Sequence, residues 1–369
     1  MIATSNIRLT ELLDSMNDGV YVCDQNRKIL YWSKAAERIT GWLSADVVGR
    51  KCSENVLSHI DKDGRRLCGD EFCPLHRSIR TDKGSVVPMI VFGLNKSGGR
   101  VPMAVSVAPV HNDEGEVIGG IETFRDFTET YRNLLRAKTI QTLSMENSLP
   151  VDRRISFNVS YLPNDIVGGD FYSFRQLPSG DYAFMLADVM GHGVAAALYT
   201  MHLSALWNSY SHLLANPVEF AENINRELCK IVKDESFATA ICGVINPETG
   251  KARVTSAAWP PLLIYRSEGE TESIELPGWP LGLENSACYE ESELQLFAGE
   301  TLLMFSDGAT EIHNANGELL DLEGLQGLLK SMEYPDRPLK IEALQRQLLN
   351  YSNSIRLEDD ITLLEIRFF

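Results

Sequence analysis

The apolar residues change period between Phe127 and Pro150, and that change limits what the rest of the chain can be. Phe127, Tyr131, Leu134 and Leu135, then Ile140 and Leu143, recur at helical spacing, and Leu149-Pro150 ends the run. On both sides the apolar residues come instead in short β-type runs broken by turn residues. A helix set between two such blocks divides the 369-residue chain into two α+β units, a split its length also favours. The boundaries read as a tail over 1–8, a first unit over 9–127, the helix over 128–150 and a second unit over 151–369. Two readings of the helix stand. It forms a short parallel coiled coil in a homodimer, or it packs singly on one unit, since Lys138, Gln141 and Thr142 dilute the apolar seam.

Composition narrows the function classes. With 44% hydrophobic residues the chain can bury real cores, and a net charge of -17 argues against nucleic acid or an anionic membrane as the main partner. No run approaches the roughly 20 apolar residues that span a bilayer, and 1–11 lacks the basic-then-apolar pattern of a secretory signal. Cysteine is sparse, at 7 residues, with Cys52, Cys68 and Cys73 in one region. That is not a disulfide scaffold, and a reducing cytoplasm is the expected location.

In the first unit, 20–23 and 28–32 read as β runs joined by the turn Asp24-Gln-Asn-Arg27. Ser33 can cap a short helix through Ala35, Ala36 and Ile39, stopped by Gly41. Runs over 86–94, 101–110 and 117–124 follow as a meander, with Ser97-Gly-Gly99 and Asn112-Asp-Glu-Gly115 as turns. Trp32 and Trp42 are expected in the core. The order resembles a PAS sensor domain. So do Asp18-Gly-Val20, Ile29-Leu-Tyr-Trp32 with Ala35-Ala-Glu37, Gly49, and the closing Asp126-Phe-Thr128. The resemblance covers roughly 9–128.

The second unit alternates short β runs, at 156–161, 182–187, 238–245, 253–257, 262–265, 300–306 and 361–369, with helical stretches at 194–214 and 218–232. Its acids stand at strand ends or beside glycines: Asp170 in Val167-Gly-Gly-Asp-Phe171, Asp188 in Leu186-Ala-Asp-Val-Met-Gly-His-Gly193, Asp307 in Phe305-Ser-Asp-Gly-Ala-Thr-Glu311, and Asp359 with Asp360 in Glu358-Asp-Asp-Ile-Thr362. Any one of them alone reads as a turn. Together they can point carboxylates into one cleft, where hard divalent ions take oxygen ligands. Two such ions about 3.5–4 Å apart clamp a phosphate and ionise a water, so no cysteine or serine nucleophile is needed.

These motifs, in this order over about 155–368, resemble the PP2C-type metal-dependent phosphatases, in the bacterial branch that includes RsbU and SpoIIE. The resemblance implies an α/β/β/α sandwich holding two Mn²⁺ or Mg²⁺ ions. Asp170, Asp188, the Val189 carbonyl, Asp307 and Asp359 would be ligands and the catalytic set, with Asp188 bridging and Asp360 the alternative to Asp359. Gly169 and His192 would contact substrate phosphate, and His192 reads equally as a packed turn residue. The implied substrate is phosphoserine or phosphothreonine on a STAS-domain anti-anti-sigma factor. The chain departs from the pattern at Ser173, where the branch usually has Asp, and at Ser256-Ala-Ala-Trp259, where Asn-Ala-Gly-His is frequent. Trp259 is expected to narrow that loop.

One cluster in the sensor stands apart: Cys52, His59, Cys68, Cys73 and His76. Two thiolates and an imidazole suit zinc or iron. A reversible Cys68–Cys73 disulfide and plain burial are the other readings. The whole chain thus reads as a sensor-regulated protein phosphatase, with a non-catalytic, phosphoprotein-binding pseudophosphatase as the alternative. A nucleotide cyclase or kinase is disfavoured, because no phosphate-cradling glycine loop with lysine is present.

Overall fold

A computed structural model describes residues 8–62, 64–69, 72–85, 88–145, 149–191, 193–231, 236–314, 316–352 and 357–369. The chain divides after Asn133 into two units.

The first unit runs α1 (Leu9–Asp14), β1 (Gly19–Asp24), β2 (Ile29–Trp32), α2 (Lys34–Thr40), α3 (Ser44–Val47), α4 (Pro74–Thr81), β3 (Met89–Leu94), β4 (Arg100–His111) and β5 (Val117–Asp126). Its antiparallel sheet has the order β2-β1-β5-β4-β3. The β1–β2 turn forms because Asp24 Oδ1 accepts the backbone N–H of Asn26 and of Lys28. Ser33 Oγ caps α2 by accepting from Ala36 N, and Gly41 ends it at φ 74°. Trp32 is buried in the core, while Trp42 is half-buried and donates its indole N–H to the Leu94 carbonyl. Asp126 Oδ1 accepts from Thr128 N, and α5 (Thr128–Met145) starts there.

In the second unit β6 (Ile155–Leu162), β7 (Asp170–Gln176) and β8 (Tyr182–Val189) precede α6 (Val194–Ser209) and α7 (Pro217–Ile231). Then come β9 (Ala238–Ile245), β10 (Lys251–Ala257), β11 (Leu262–Tyr265), β12 (Thr271–Ile274), β13 (Ser292–Gln295), β14 (Thr301–Phe305), α8 (Asp321–Ser331), α9 (Ile341–Ser352) and β15 (Ile361–Phe368). The strands form two antiparallel sheets, β13-β10-β9-β8-β7 and β12-β11-β14-β15-β6.

Strand alternation builds the layers. Phe184 and Leu186 point between the sheets, meeting Leu302, Met304, Leu364 and Ile366 of the other sheet. Ala183, Met185 and Ala187, one residue out of phase, face Leu203, Trp207, Ile224 and Leu228 of α6 and α7. On the far side Leu303, Phe305 and Leu363 meet Leu325 and Leu329 of α8 and Leu344 and Leu348 of α9. The result is the expected α/β/β/α sandwich.

Three strands and two helices were not legible. β12 and β13 are edge strands of mostly polar residues, each paired on one side only, so their sequence lacks a core run. Gly324 and Gly327 lie within α8 and weaken its helical signal, and β7 starts directly after a glycine pair that reads as a turn; α9 has the one-sided apolar spacing of an amphipathic helix, and its omission has no such physical reason. The expected helix over 194–214 ends at Ser209 and continues as a 3-10 turn, Ser211–Leu213.

Candidate active site

The site lies at the ends of four strands, two from each sheet: the edge strand β7 and its neighbour β8, and the inner strands β14 and β15. Asp170 opens β7 and Asp188 is near the end of β8, and the antiparallel register sets the two opposite each other. Asp307 starts a 3-10 turn directly after β14, and Asp359 and Asp360 lead into β15. β14 and β15 are partners, and Ser306 N donates to the Thr362 carbonyl at 2.9 Å. The sheets are tied across the sandwich by hydroxyls. Ser306 Oγ and Thr362 Oγ1 both donate to Asp170 Oδ2, at 2.9 and 2.6 Å.

Asp170 is fully buried, and its Oδ1 has no hydrogen-bond partner; neither has Asp307 Oδ1. Burial first, then the charge of Asp360, pushes the Asp170 carboxyl well above the usual carboxylate range. Burial, then the charges of Asp170 and Asp307, does the same to Asp188, which also shares a hydrogen bond with Asp307. Two carboxyl groups can share a hydrogen bond only if one keeps its proton. A cation placed there replaces that proton and satisfies the orphaned oxygens. The donors are hard oxygens, which suits Mg²⁺ or Mn²⁺. Among the described residues no three His, Cys, Asp or Glu side chains are already gathered into a ligand set, so the acids are neighbours that an ion would draw together.

Asp359 and Asp360 differ. Asp360 is buried, and its two oxygens accept the backbone N–H of Asn164 and of Gly169. Asp359 is half-buried and adds to the field at Asp188. The first is a structural anchor, and the second accepts the Asp360 backbone N–H on Oδ1 at 2.8 Å. Gly169 thus serves Asp360 through its N–H, and its carbonyl accepts Val189 N at 3.1 Å. A methyl group on Gly168 would collide with the Tyr161 hydroxyl and the Asp360 carboxylate, and one on Gly308 with the Asp360 carbonyl. The motif glycines are therefore needed for close approach. Gly191 and Gly193 sit at φ 90° and 81° in the turn after Asp188; His192 between them lies outside the described residues.

Sequence reading missed four supports of the site. Ser306 and Thr362 stand inside the acidic motifs, yet no role was read for them. Tyr161 sits behind Gly168, with a buried hydroxyl lacking a hydrogen-bond partner. Gln141 of α5, taken as a dilution of an apolar seam, is instead buried at 3% exposure. Its Nε2 donates to the Gly168 carbonyl at 2.7 Å and to Thr200 Oγ1 of α6 at 2.8 Å, and its Oε1 accepts from Gly168 N at 3.3 Å. One side chain thus ties α5 to the segment leading into Asp170 and to the helix that follows the Asp188 turn. Leu135, Ile140 and Leu143, the periodic apolar residues, are exposed.

Two departures resolve as packing. Ser173 is buried within β7, where an aspartate would be a buried charge. Trp259 is 5% exposed and packs between the sheets rather than narrowing a surface loop. In the first unit Cys52, His59 and Cys73 are buried and Cys68 is half-buried. His76 is half-buried on α4, and all seven cysteines are free thiols.

Both units match known families and folds. A family model described as "Stage II sporulation protein E (SpoIIE)" matches residues 178–369, beginning beyond Asp170, and one described as "PAS fold" matches 13–132. Phosphoserine phosphatase RsbP of Bacillus subtilis is 27% identical over 214 residues, 57% of this chain and 51% of that protein. Phosphoserine phosphatase RsbU of the same organism is 25% identical over 232 residues, 63% of this chain and 68% of that protein. Among solved structures, the SiaA-PP2C domain of Pseudomonas aeruginosa matches with TM-score 0.56 at 21% identity, over 65% of this chain and 97% of that one. The PP2C phosphatase domain and a regulatory fragment of SpoIIE from Bacillus subtilis match with TM-score 0.51 at 21% identity, over 72% of this chain and 70% of that one. These likenesses show the PP2C fold. The chain spans about half the length of RsbP. With a PAS fold ahead of a PP2C fold, the chain belongs to the stage II sporulation protein E (SpoIIE) family.

Proposed function

We propose that the second unit is a divalent-metal-dependent phosphatase that removes phosphate from serine or threonine of a partner protein, under control of the PAS unit. The observation that carries this is the acid group at the strand ends, with Asp170 buried and Asp188 and Asp307 half-buried, in which Asp188 and Asp307 share a hydrogen bond while Asp170 and Asp307 each keep an oxygen without a hydrogen-bond partner. Asp170, Asp188, Asp307 and Asp359, with the Val189 carbonyl, would hold two Mn²⁺ or Mg²⁺ ions. When bound, such ions supply positive charge to the phosphoryl oxygens and lower the pKa of a water. The chain's own part is to fix the acids. Ser306 and Thr362 orient Asp170, and Asp360 anchors the Gly168-Gly169 segment.

The substrate is proposed as a phosphorylated STAS-type anti-anti-sigma factor, in keeping with the named phosphoserine phosphatases among its relatives. Met190, Val194 and Leu198, just beyond Asp188, are exposed apolar residues and suit a protein substrate over a small phosphate ester. The linker helix is proposed to carry the sensor's state to the site through Gln141, in a homodimer. No helix among the described residues is long and apolar enough to cross a membrane, and the proposed location is the cytoplasm.

The test is phosphate release from a phosphoserine peptide by the full chain with Mn²⁺ or Mg²⁺. Retained activity in a folded Asp188→Ala variant would sink the two-ion assignment. A second reading, a pseudophosphatase that only binds the phosphoprotein, is favoured by the absence of an already gathered ligand set among the described residues. It requires that Mn²⁺ fail to bind.

A further inference from the structure

Glu122 lies on β5 with its side chain inside the first unit, 2% exposed. Its Oε2 accepts the Tyr21 hydroxyl at 3.1 Å. Its Oε1 has no hydrogen-bond partner and faces His59 Nε2 at 3.7 Å, which has none either. His59 is 6% exposed, and its backbone N–H donates to Cys68 Sγ at 3.0 Å. The thiols of Cys52 and Cys68 are near enough to Glu122, and those two and Cys73 near enough to one another, for the charges to be felt.

Burial raises the Glu122 carboxyl to about 8 and lowers the His59 imidazole to about 4, so both are uncharged at neutral pH. Each orphaned polar atom in such an interior is left desolvated without compensation, which destabilises the fold. A core with no other duty would carry apolar residues here. A Cys68–Cys73 disulfide would leave Glu122 Oε1 and His59 Nε2 as orphaned as before. A cation satisfies both and uses the thiols as well. Thiolate, imidazole and carboxylate together suit a borderline-soft divalent ion rather than Mg²⁺.

We propose that the PAS unit binds one thiophilic divalent cation, zinc or ferrous iron, through Cys68, Cys73, His59 and Glu122, with Cys52 beside the set behind Tyr21. His76, on α4, is not part of the set. These side chains are not gathered into a ligand set as they stand, so loading draws Cys68 and Cys73 onto the Glu122–His59 pair and releases their protons. That inward movement beside β5, the strand that leads into α5, gives the unit two states set by the ion.

The experiment uses the full reduced chain, stripped with a chelator and kept in excess Mg²⁺ so that the oxygen-rich site of the second unit stays occupied. Cobalt(II) is titrated in. The expected result is one cobalt per chain with a thiolate-to-cobalt charge-transfer band, abolished in Cys68→Ser/Cys73→Ser and unchanged in Cys288→Ser. Glu122→Gln keeps the shape of the core and is expected to weaken binding about 10–100-fold, so the test stands even if the double variant fails to fold. Displacement by stoichiometric Zn²⁺ assigns zinc, and displacement only by Fe²⁺ without oxygen assigns iron. No charge-transfer band from a chain whose thiols titrate as free overturns the proposal. So does a band of undiminished affinity in Glu122→Gln.

Discussion

Replacing Gln141 by alanine tests whether the linker helix is a structural part of the active site. The substitution removes the hydrogen bonds to Gly168 N, Gly168 O and Thr200 Oγ1. Thr200 keeps a partner, because its hydroxyl also donates to the Ala197 carbonyl at 2.8 Å. Gly168 does not, and both its backbone groups are buried. Two orphaned backbone groups at about 1–3 kcal/mol each put the loss at about 2–6 kcal/mol. The assay is denaturant unfolding of the second unit's transition, with Leu143→Ala as control. Leu143 is exposed on the same helix and should stay within about 0.5 kcal/mol. Phosphatase activity should fall along with stability, since Gly168 leads into Asp170. A loss below about 1 kcal/mol with activity unchanged would refute the argument and leave Gln141 an ordinary packed residue.

Asp359 and Asp360 should separate. Asp359→Asn is expected to abolish cation-dependent activity with stability within about 0.5 kcal/mol. Asp360→Asn should cost about 1–3 kcal/mol, because an amide presents only one acceptor to two backbone N–H donors. Gly308→Ala should cost more than the 1–3 kcal/mol or so typical of overpacking, since the obstacle is the Asp360 backbone carbonyl. Trp259→Ala should cost about 3–5 kcal/mol in chemical unfolding while leaving Mn²⁺ affinity unchanged, as a core residue between the sheets would. The pH dependence follows from Asp170 and Asp188, whose carboxyls are raised in the folded chain. In cation-free protein their contribution is present below the ordinary carboxylate range and is lost as pH rises. The thermal stabilisation given by Mn²⁺ should therefore grow with pH, because fewer protons are displaced; a flat increment would count against proton–cation exchange at these acids.

What the sequence showed, and what it hid, has a physical pattern. The layered fold was legible because buried strands such as β8 and β14 are nearly continuous apolar runs, and Ser33 and Gly41 punctuate α2 by their own chemistry. The acids were legible because Asp170, Asp188, Asp307 and Asp359 sit at or just beyond strand ends, Asp170 and Asp307 with a glycine directly beside them. Edge strands β12 and β13 were not, since one-sided pairing asks for no apolar signature. Gln141 was hidden for a different reason. A glutamine among helical apolar residues looks like dilution, and only the tertiary placement of Gly168 and Thr200 turns it into a clamp while Ile140 and Leu143 face outward. Glu122 was missed because an acid in the alternating pattern of β5 reads as solvent-facing, whereas it lies inside the unit.

The most direct measurement of the central claim is Mn²⁺ binding followed by electron paramagnetic resonance on the full chain and on Asp188→Asn, with phosphate release from a phosphoserine protein read on the same samples. Two bound Mn²⁺ per chain with turnover, both lost in the variant while it remains folded, is the predicted result. Wild-type turnover without divalent cation, or undiminished Mn²⁺ binding in Asp188→Asn, would contradict it.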